Sequence, residues 1–390
     1  MASYVSSNAN RWYVAREAVY GEVPAITGRN RIPAVKMTAR QEFEKRERRD
    51  KTGSRTFQGL PVGLRKRTQF SLRTYMTGWA EVSQEPCYGP LFEAALGGEA
   101  LRYGGGTAAD GCTGMTLRFT SPHGLTAGQA VTCGDELRFV ASVVDATTVT
   151  VNAPFSAVPG AGTAIGSTLT YCPGLELPSV SIFDYWTPGG AVQRILCGAA
   201  VDRLLIRVNA DYHEFEFSGI ARDLIDNASF AAGQGELTSF PEEPALEEFD
   251  YSVIPGHIGQ VWLGSIPERF CTLTEAEVLL ENGIEARDKE FGCGEPRGIW
   301  AGVRTVTAKL EIYELDDEAT KALYQAARQR SPISVMFQLG EAPGQLFGVY
   351  LKAVVPETPE FDDGDARLKW RFAGCRAQGT LDDEIYVAFG

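Results

Sequence analysis

Eight cysteines and three histidines are the residues in this chain that could bind a metal or run thiol chemistry, and their spacing supports neither. Cys87, Cys112, Cys133, Cys172, Cys197, Cys271, Cys293 and Cys375 include no Cys-x-x-Cys pair, and His123, His213 and His257 lie far apart. Zinc clusters and dithiols need ligands at short, defined spacings, so the thiols are expected to be reduced and packed as small apolar residues. Carboxylates cluster at Glu242-Glu243, Glu247-Glu248, Asp362-Asp363 and Asp382-Asp-Glu384. A glycosidase needs two facing acids at a set separation, whereas runs mixed with glycine and proline read as solvated loops. Trp79, Trp186, Trp262, Trp300 and Trp370 could line a sugar groove, but Trp370 alternates with polar neighbours as a core strand residue does. No G-x-S-x-G, H-E-x-x-H or G-x-x-x-x-G-K-[ST] pattern occurs. Gly104-Gly-Gly106 lacks the strand and helix that frame a phosphate cradle and reads as a flexible linker, and His123 sits in a Pro-His-Gly turn. The sequence therefore predicts no catalytic, cofactor-binding or metal-binding residues, and a protein that is not an enzyme.

Charge is more informative. The net charge is −13, which argues against a general nucleic-acid binder. Between Arg40 and Arg73, however, eleven basic residues face four acidic ones, an excess of +7 that leaves −20 on the rest of the chain. Such polarity suits a surface whose basic end docks on an acidic surface of an identical copy. Arg46, Arg48, Arg49, Lys51 and Arg55 are the expected contact residues of that basic hairpin. No run approaches the roughly 20 apolar residues of a membrane helix. The first residues lack the basic and apolar regions of a secretory signal, so folding in a cytoplasm is expected.

The elements that must position these residues are mostly strands. Thr68–Tyr75, Glu214–Phe217 and Thr305–Tyr313 alternate polar and apolar residues. Two helices are expected. Pro90–Leu96 is stopped by Gly97-Gly98, and Asp316–Gln329 has an acidic first turn, a basic last turn and Pro332 beyond it.

The order of elements repeats. Gly59–Gly63 and the strand ending at Tyr75 match Gly298–Gly302 and the strand ending at Tyr313. Leu91–Ala95 matches Leu323–Ala327, Pro178–Phe183 matches Pro332–Phe337, and Phe215–Gly219 matches Trp370–Gly374. The offsets run 239, 232, 154 and 155, so the first copy holds about 78 extra residues after its helix. Those residues contain short β-like runs at Met115–Thr120, Leu137–Val144, Thr147–Val151 and Ser167–Tyr171. They predict a small inserted β domain, peripheral to the shared fold. The expected division is a first fold over 1–97 and 178–225, an insert over 98–177, and a second fold over 226–390.

Several segments carry a family likeness. Glu17–Pro24, the charged hairpin from Gln41 to Gly59, Asn282–Arg287, Pro296–Ile299, Gly302–Thr307 and the ending from Pro356 to Gly390 resemble the major tail tube proteins of long-tailed, siphovirus-like bacteriophages. The likeness covers the chain apart from the insert. It implies two tandem copies of a β-sandwich or half-barrel, each with one flanking helix. It further implies rings joined edge to edge and stacked into a DNA-conducting tube in the virion tail, assembled in the host cytoplasm. The partners implied are the chain itself, tape measure, tail terminator and distal tail proteins, and phage DNA sliding without sequence recognition past an acidic lumen. No cofactor and no membrane are implied. Because the fold is doubled, a homotrimeric pseudo-hexameric ring is expected, with a homohexamer as the alternative. A tail-tip, distal tail or fibre protein that binds the host surface is the second reading, and an acidic β-fold enzyme the third.

Overall fold

A computed structural model of the chain describes residues 4–44, 51–57, 59, 65–78, 85–209, 211–246 and 252–390. It is mainly β, with two α-helices among the described residues. The strands used below are β1 Asn10–Arg16, β2 Ala34–Phe43, β3 Lys66–Tyr75, β4 Leu101–Tyr103, β5 Thr116–Arg118, β6 Ala130–Cys133, β7 Glu136–Asp145 and β8 Thr148–Val151. They continue as β9 Thr168–Tyr171, β10 Val180–Trp186, β11 Arg194–Val208, β12 Glu214–Ala221, β13 Asp223–Asp226, β14 Gly259–Gly264, β15 Leu273–Glu281 and β16 Thr305–Tyr313. The last are β17 Ile333–Leu339, β18 Phe347–Val355, β19 Glu360–Asp362, β20 Lys369–Ala377 and β21 Tyr386–Phe389. Helix α1 is Gly89–Leu96 and α2 is Glu318–Gln329.

Local chemistry sets both helix boundaries. Gly97 ends α1 in the left-handed region, φ 90°, where a glycine costs least. The Asp317 carboxylate caps α2 by accepting from the Thr320 N–H at 2.7 Å.

Period-two alternation places one face of β2, β3, β12, β11, β15, β16, β20 and β19 inward. In that order they form a continuous antiparallel sheet. Its first four strands and last four are equivalent. In the first half Leu72 faces Phe217; in the second Leu310 faces Phe372. The pairing therefore equates Leu72 with Leu310 and Tyr75 with Tyr313, one residue off the glycine offset read from sequence. A one-residue change of offset matters here because it decides which face each side chain occupies. The halves join where the C-terminal part of β11 pairs with β15, setting Leu205 opposite Leu279 and Ile206 opposite Val278.

A second layer closes the core behind this sheet. In the first copy it is β1, β10, the N-terminal part of β11, and β13. In the second it is β14, β17, the N-terminal part of β18, and β21. Phe183 faces Ile195 in one and Phe337 faces Val349 in the other, the same offset of 154 at both positions. Apolar residues of both copies, including Leu72, Phe92, Phe217, Val278, Leu310 and Phe347, belong to one buried cluster.

The expected boundaries shift in two places. β4 and β9, expected inside the insert, pair through β9 with the C-terminal strand β21 and so extend the second-copy layer. Residues Phe230, Leu237 and Phe240, expected in the second fold, cover Tyr13, Phe183 and Ile195 of the first. Glu243 then locks that segment down by accepting from Arg11 and from the Tyr13 hydroxyl.

The insert itself is the sheet β5-β8-β7-β6 with its own core of Leu117, Phe119, Val140, Val149 and Phe155. It is packed down, contrary to the expectation of a peripheral module on a flexible linker. Gly106 pairs with Ile165, and Leu137 and Phe139 lie on Trp262, Met336 and Tyr350 of the second copy. Gly128 shows how close the packing is: at φ 88° its added Cβ would fall 2.1 Å from the Tyr386 ring. Arg138, fully buried, donates to Glu136 at 2.7 Å and to Gln260 at 3.0 Å, and its guanidinium lies 5.1 Å from the Trp262 ring centre. Burial alone would raise the Glu136 carboxyl. Arg138 and the Ser156 hydrogen bonds outweigh that and hold it below the usual carboxylate range.

Candidate functional site

Several carboxylates and histidines with potential chemistry are tied into structure, while Glu247 and Glu248 lie outside the described residues. Asp382 and Glu384 both bind Arg304, at 3.1 and 2.8 Å, Asp383 binds Lys352 at 2.7 Å, and Asp362 binds Arg371 at 2.7 Å. Burial pushes the Glu243 carboxyl up, but hydrogen bonds from Arg11 and Tyr13 outweigh it, leaving Glu243 ionised rather than poised as an acid. Burial also pushes Asp383 up, and Lys352 with the Thr380 and Leu381 N–H groups outweighs it. His123 holds its turn, accepting from the Leu125 N–H at 2.8 Å. Burial lowers His213, whose ring sits 3.0 Å from the Ile258 carbonyl oxygen.

The buried and exposed tryptophans among the described residues lie in different places. Trp370 is in the core beneath α2, Trp262 lies under the insert, Trp300 is exposed, and Trp79 lies outside the described residues. Cys197 and Cys375 are buried, Cys271 is exposed and the other thiols are half-buried, so the expected burial holds in full for two of them. Among the described residues no group of three or more His, Cys, Asp or Glu is placed to hold a metal ion. Nor is any described helix long and apolar enough to cross a membrane.

The feature the topology does isolate is the eight-stranded sheet, with its two ends and its open face. At one end is β2, paired only with β3; at the other is β19, paired only with β20 among the described residues. β2 is ten residues long and contains no proline. A long strand with unpaired N–H and C=O groups is a template for another chain unless something covers it. Its core-side residues Met37 and Ala39 are only half-buried, while their equivalents Ala276 and Val278, paired with β11, are fully buried. At the other end Phe361 is 57% exposed, although its equivalent Ile206 is completely buried.

The open face carries charge in near balance. Outward positions are Lys36, Arg40 and Glu42 on β2, Arg67 and Arg73 on β3, Glu214 and Glu216 on β12, and Arg203 and Arg207 on β11. They continue with Glu275, Glu277 and Glu281 on β15, Lys309 and Glu311 on β16, Lys369, Arg371 and Arg376 on β20, and Glu360 and Asp362 on β19. Ten basic groups stand beside nine acidic ones, so this face is close to neutral although the chain as a whole carries −13. They are laced across strands: Arg207 contacts Glu214, Glu216 and Glu277, and Arg371 contacts Glu311 and Asp362. Burial would raise Glu311, but hydrogen bonds from Arg371, Thr274 and Lys369 dominate and lower it.

Of the expected contact residues, Lys51 and Arg55 are exposed on the connection between β2 and β3. Arg46, Arg48 and Arg49 lie outside the described residues. Charge pattern had pointed to this hairpin; the two sheet ends were missed, because edge status depends on which distant strand pairs with which.

No family model matches the chain, and no curated protein matches it. Among solved structures it is similar to the SPP1 tail tube, determined by solid-state NMR and cryo EM. The identity is 16%, the match spans 34% of this chain and 79% of that one, and the TM-score is 0.28.

Proposed function

We propose that this chain is a structural subunit that polymerises into a hollow tube, the major tail tube protein of a bacteriophage. It acts by assembly and not by catalysis. The observation that carries the reading is the sheet of two equivalent halves, joined inside the chain at β11 and β15, with both outer ends unpaired among the described residues. An end of this kind is satisfied by the opposite end of an identical chain, and closing the sheet into a barrel leaves no open edge. The resemblance of Glu17–Pro24, the basic hairpin and the C-terminal segments to tail tube proteins supports the same reading. Three chains then supply six repeats and form the ring. Purified protein, concentrated near neutral pH, should form uniform hollow tubes in negative stain; monomers at every concentration would contradict the reading.

The near-neutral face lines the bore, where duplex DNA passes without being held. Rings stack through the basic hairpin onto an acidic surface of the next ring, a head-to-tail contact that does not close on itself and so grows a filament. The tube then belongs to the virion tail, with tape measure, terminator and distal tail proteins at its core and ends.

Replacing Arg46, Arg48, Arg49, Lys51 and Arg55 with serine should leave folded chains and rings that do not stack. Each exposed pair contributes only about 0–1 kcal/mol, but several recur per chain around every ring. Tubes of ordinary length from this variant, seen by negative stain, would remove the hairpin from the contact.

A further inference from the structure

The junction inside the chain also specifies the junction between chains. β19 holds β20 as β11 holds β12: Phe361 faces Trp370 where Ile206 faces Phe215. β2 holds β3 as β15 holds β16: Ala39 faces Phe70 where Val278 faces Ala308. Within the chain Ile206 faces Val278. We infer that β19 of one chain pairs antiparallel with β2 of a second copy in this same register, setting Phe361 opposite Ala39, Glu360 opposite Arg40 and Asp362 opposite Thr38.

Side-chain chemistry fits each pair. Phe361 with Ala39 conserves the summed bulk of Ile206 with Val278, one large and one small, as a shared core position requires. Phe361 already stacks 5.5 Å from Trp370 and lies 6.1 Å from Tyr324, so docking covers a ring that is held in place beforehand. The half-buried Met37 and Ala39 are the apolar surface it would meet. On the open face, Glu360 and Arg40 replace Leu205 and Leu279 by opposite charges, a favourable cross-strand pair. In the isolated chain Arg40 contacts its own neighbour Glu42 at 2.6 Å, with both side chains well exposed, so it can turn to a partner at little cost. A slip by one residue would put Phe361 on the charged face, and the inward apolar pattern forbids it.

This inference rests on the tube reading, and charge reversal separates the two. Glu360→Arg and Arg40→Glu each place like charges opposite one another. Each should cut the yield of sedimentable assemblies by at least about tenfold, because the faulty pair recurs at every chain junction of a closed ring. The double variant should recover assembly to near the unaltered level, while Glu360→Arg with Thr38→Glu should not. Near-UV circular dichroism checks that every variant is folded. Phe361→Asp is the second probe, expected to stay folded and monomeric. If the unaltered chain forms tubes but both single reversals assemble normally, or the double variant fails to recover, the register is wrong and the tube reading stands. If the unaltered chain never assembles, both fall.

Discussion

Phe92→Ala should destabilise the folded chain by about 3–5 kcal/mol, the usual range for emptying a fully buried aromatic site. Phe92 is completely buried on α1 and touches the rings of Tyr88, Tyr171, Phe215, Phe217, Phe347 and Phe389. Those rings come from the first copy, from β9, and from β18 and β21 of the second copy. The cavity would therefore open where the two copies meet. The repeat supplies its own control. Tyr324 holds the equivalent place on α2 but is only half-buried, against Trp370 and Phe361. Tyr324→Ala should cost the isolated chain less, about 1–2 kcal/mol. Urea denaturation followed by circular dichroism measures both. Equal losses would mean that α1 is not the buried hub of the fold.

Glu214→Gln with Glu277→Gln should turn a passive bore into one that retains DNA. Both carboxylates contact Arg207, and they also contact Arg73 and Lys309. Removing their charge leaves three cations per chain without those counterparts, on a face that is close to neutral before the change. Each cation that reaches a phosphate adds roughly 0.9 to the slope of log affinity against log salt. Tubes assembled with short duplex DNA should therefore pellet little of it when unaltered at about 0.15 M salt. The variant should carry DNA down and release it as salt rises. Identical retention by both would show that this face does not meet DNA.

Much of the architecture was legible because it is written in short-range pattern. Gly97 after an apolar run marks the end of α1, and alternation from Thr305 to Tyr313 marks β16. The repeat was legible for the same reason: Phe183 and Phe337 recur in matching local contexts and occupy matching registers. What was not legible depends on pairing between distant segments. Nothing local in Val387 says that its strand joins β18 to β9, or in Leu137 that the insert lies on Trp262. The charge of the open face was not legible for a related reason. The net −13 is a property of the whole chain, while the face draws Arg207 from β11 and Glu277 from β15, whose partnership only the sheet creates. Half-buried Met37 and exposed Phe361 become meaningful once β2 and β19 are known to be ends.

The central claim is that the chain is a doubled ring subunit, and a three-dimensional reconstruction of its assembled form tests it most directly. Three chains per ring, with six equivalent repeats around the bore and three inserts on the outside, is the predicted result. It should also place β19 of each chain beside β2 of the next. Six inserts in one ring would contradict the trimer, and an assembly in which β2 and β19 stay unpaired would contradict the account itself.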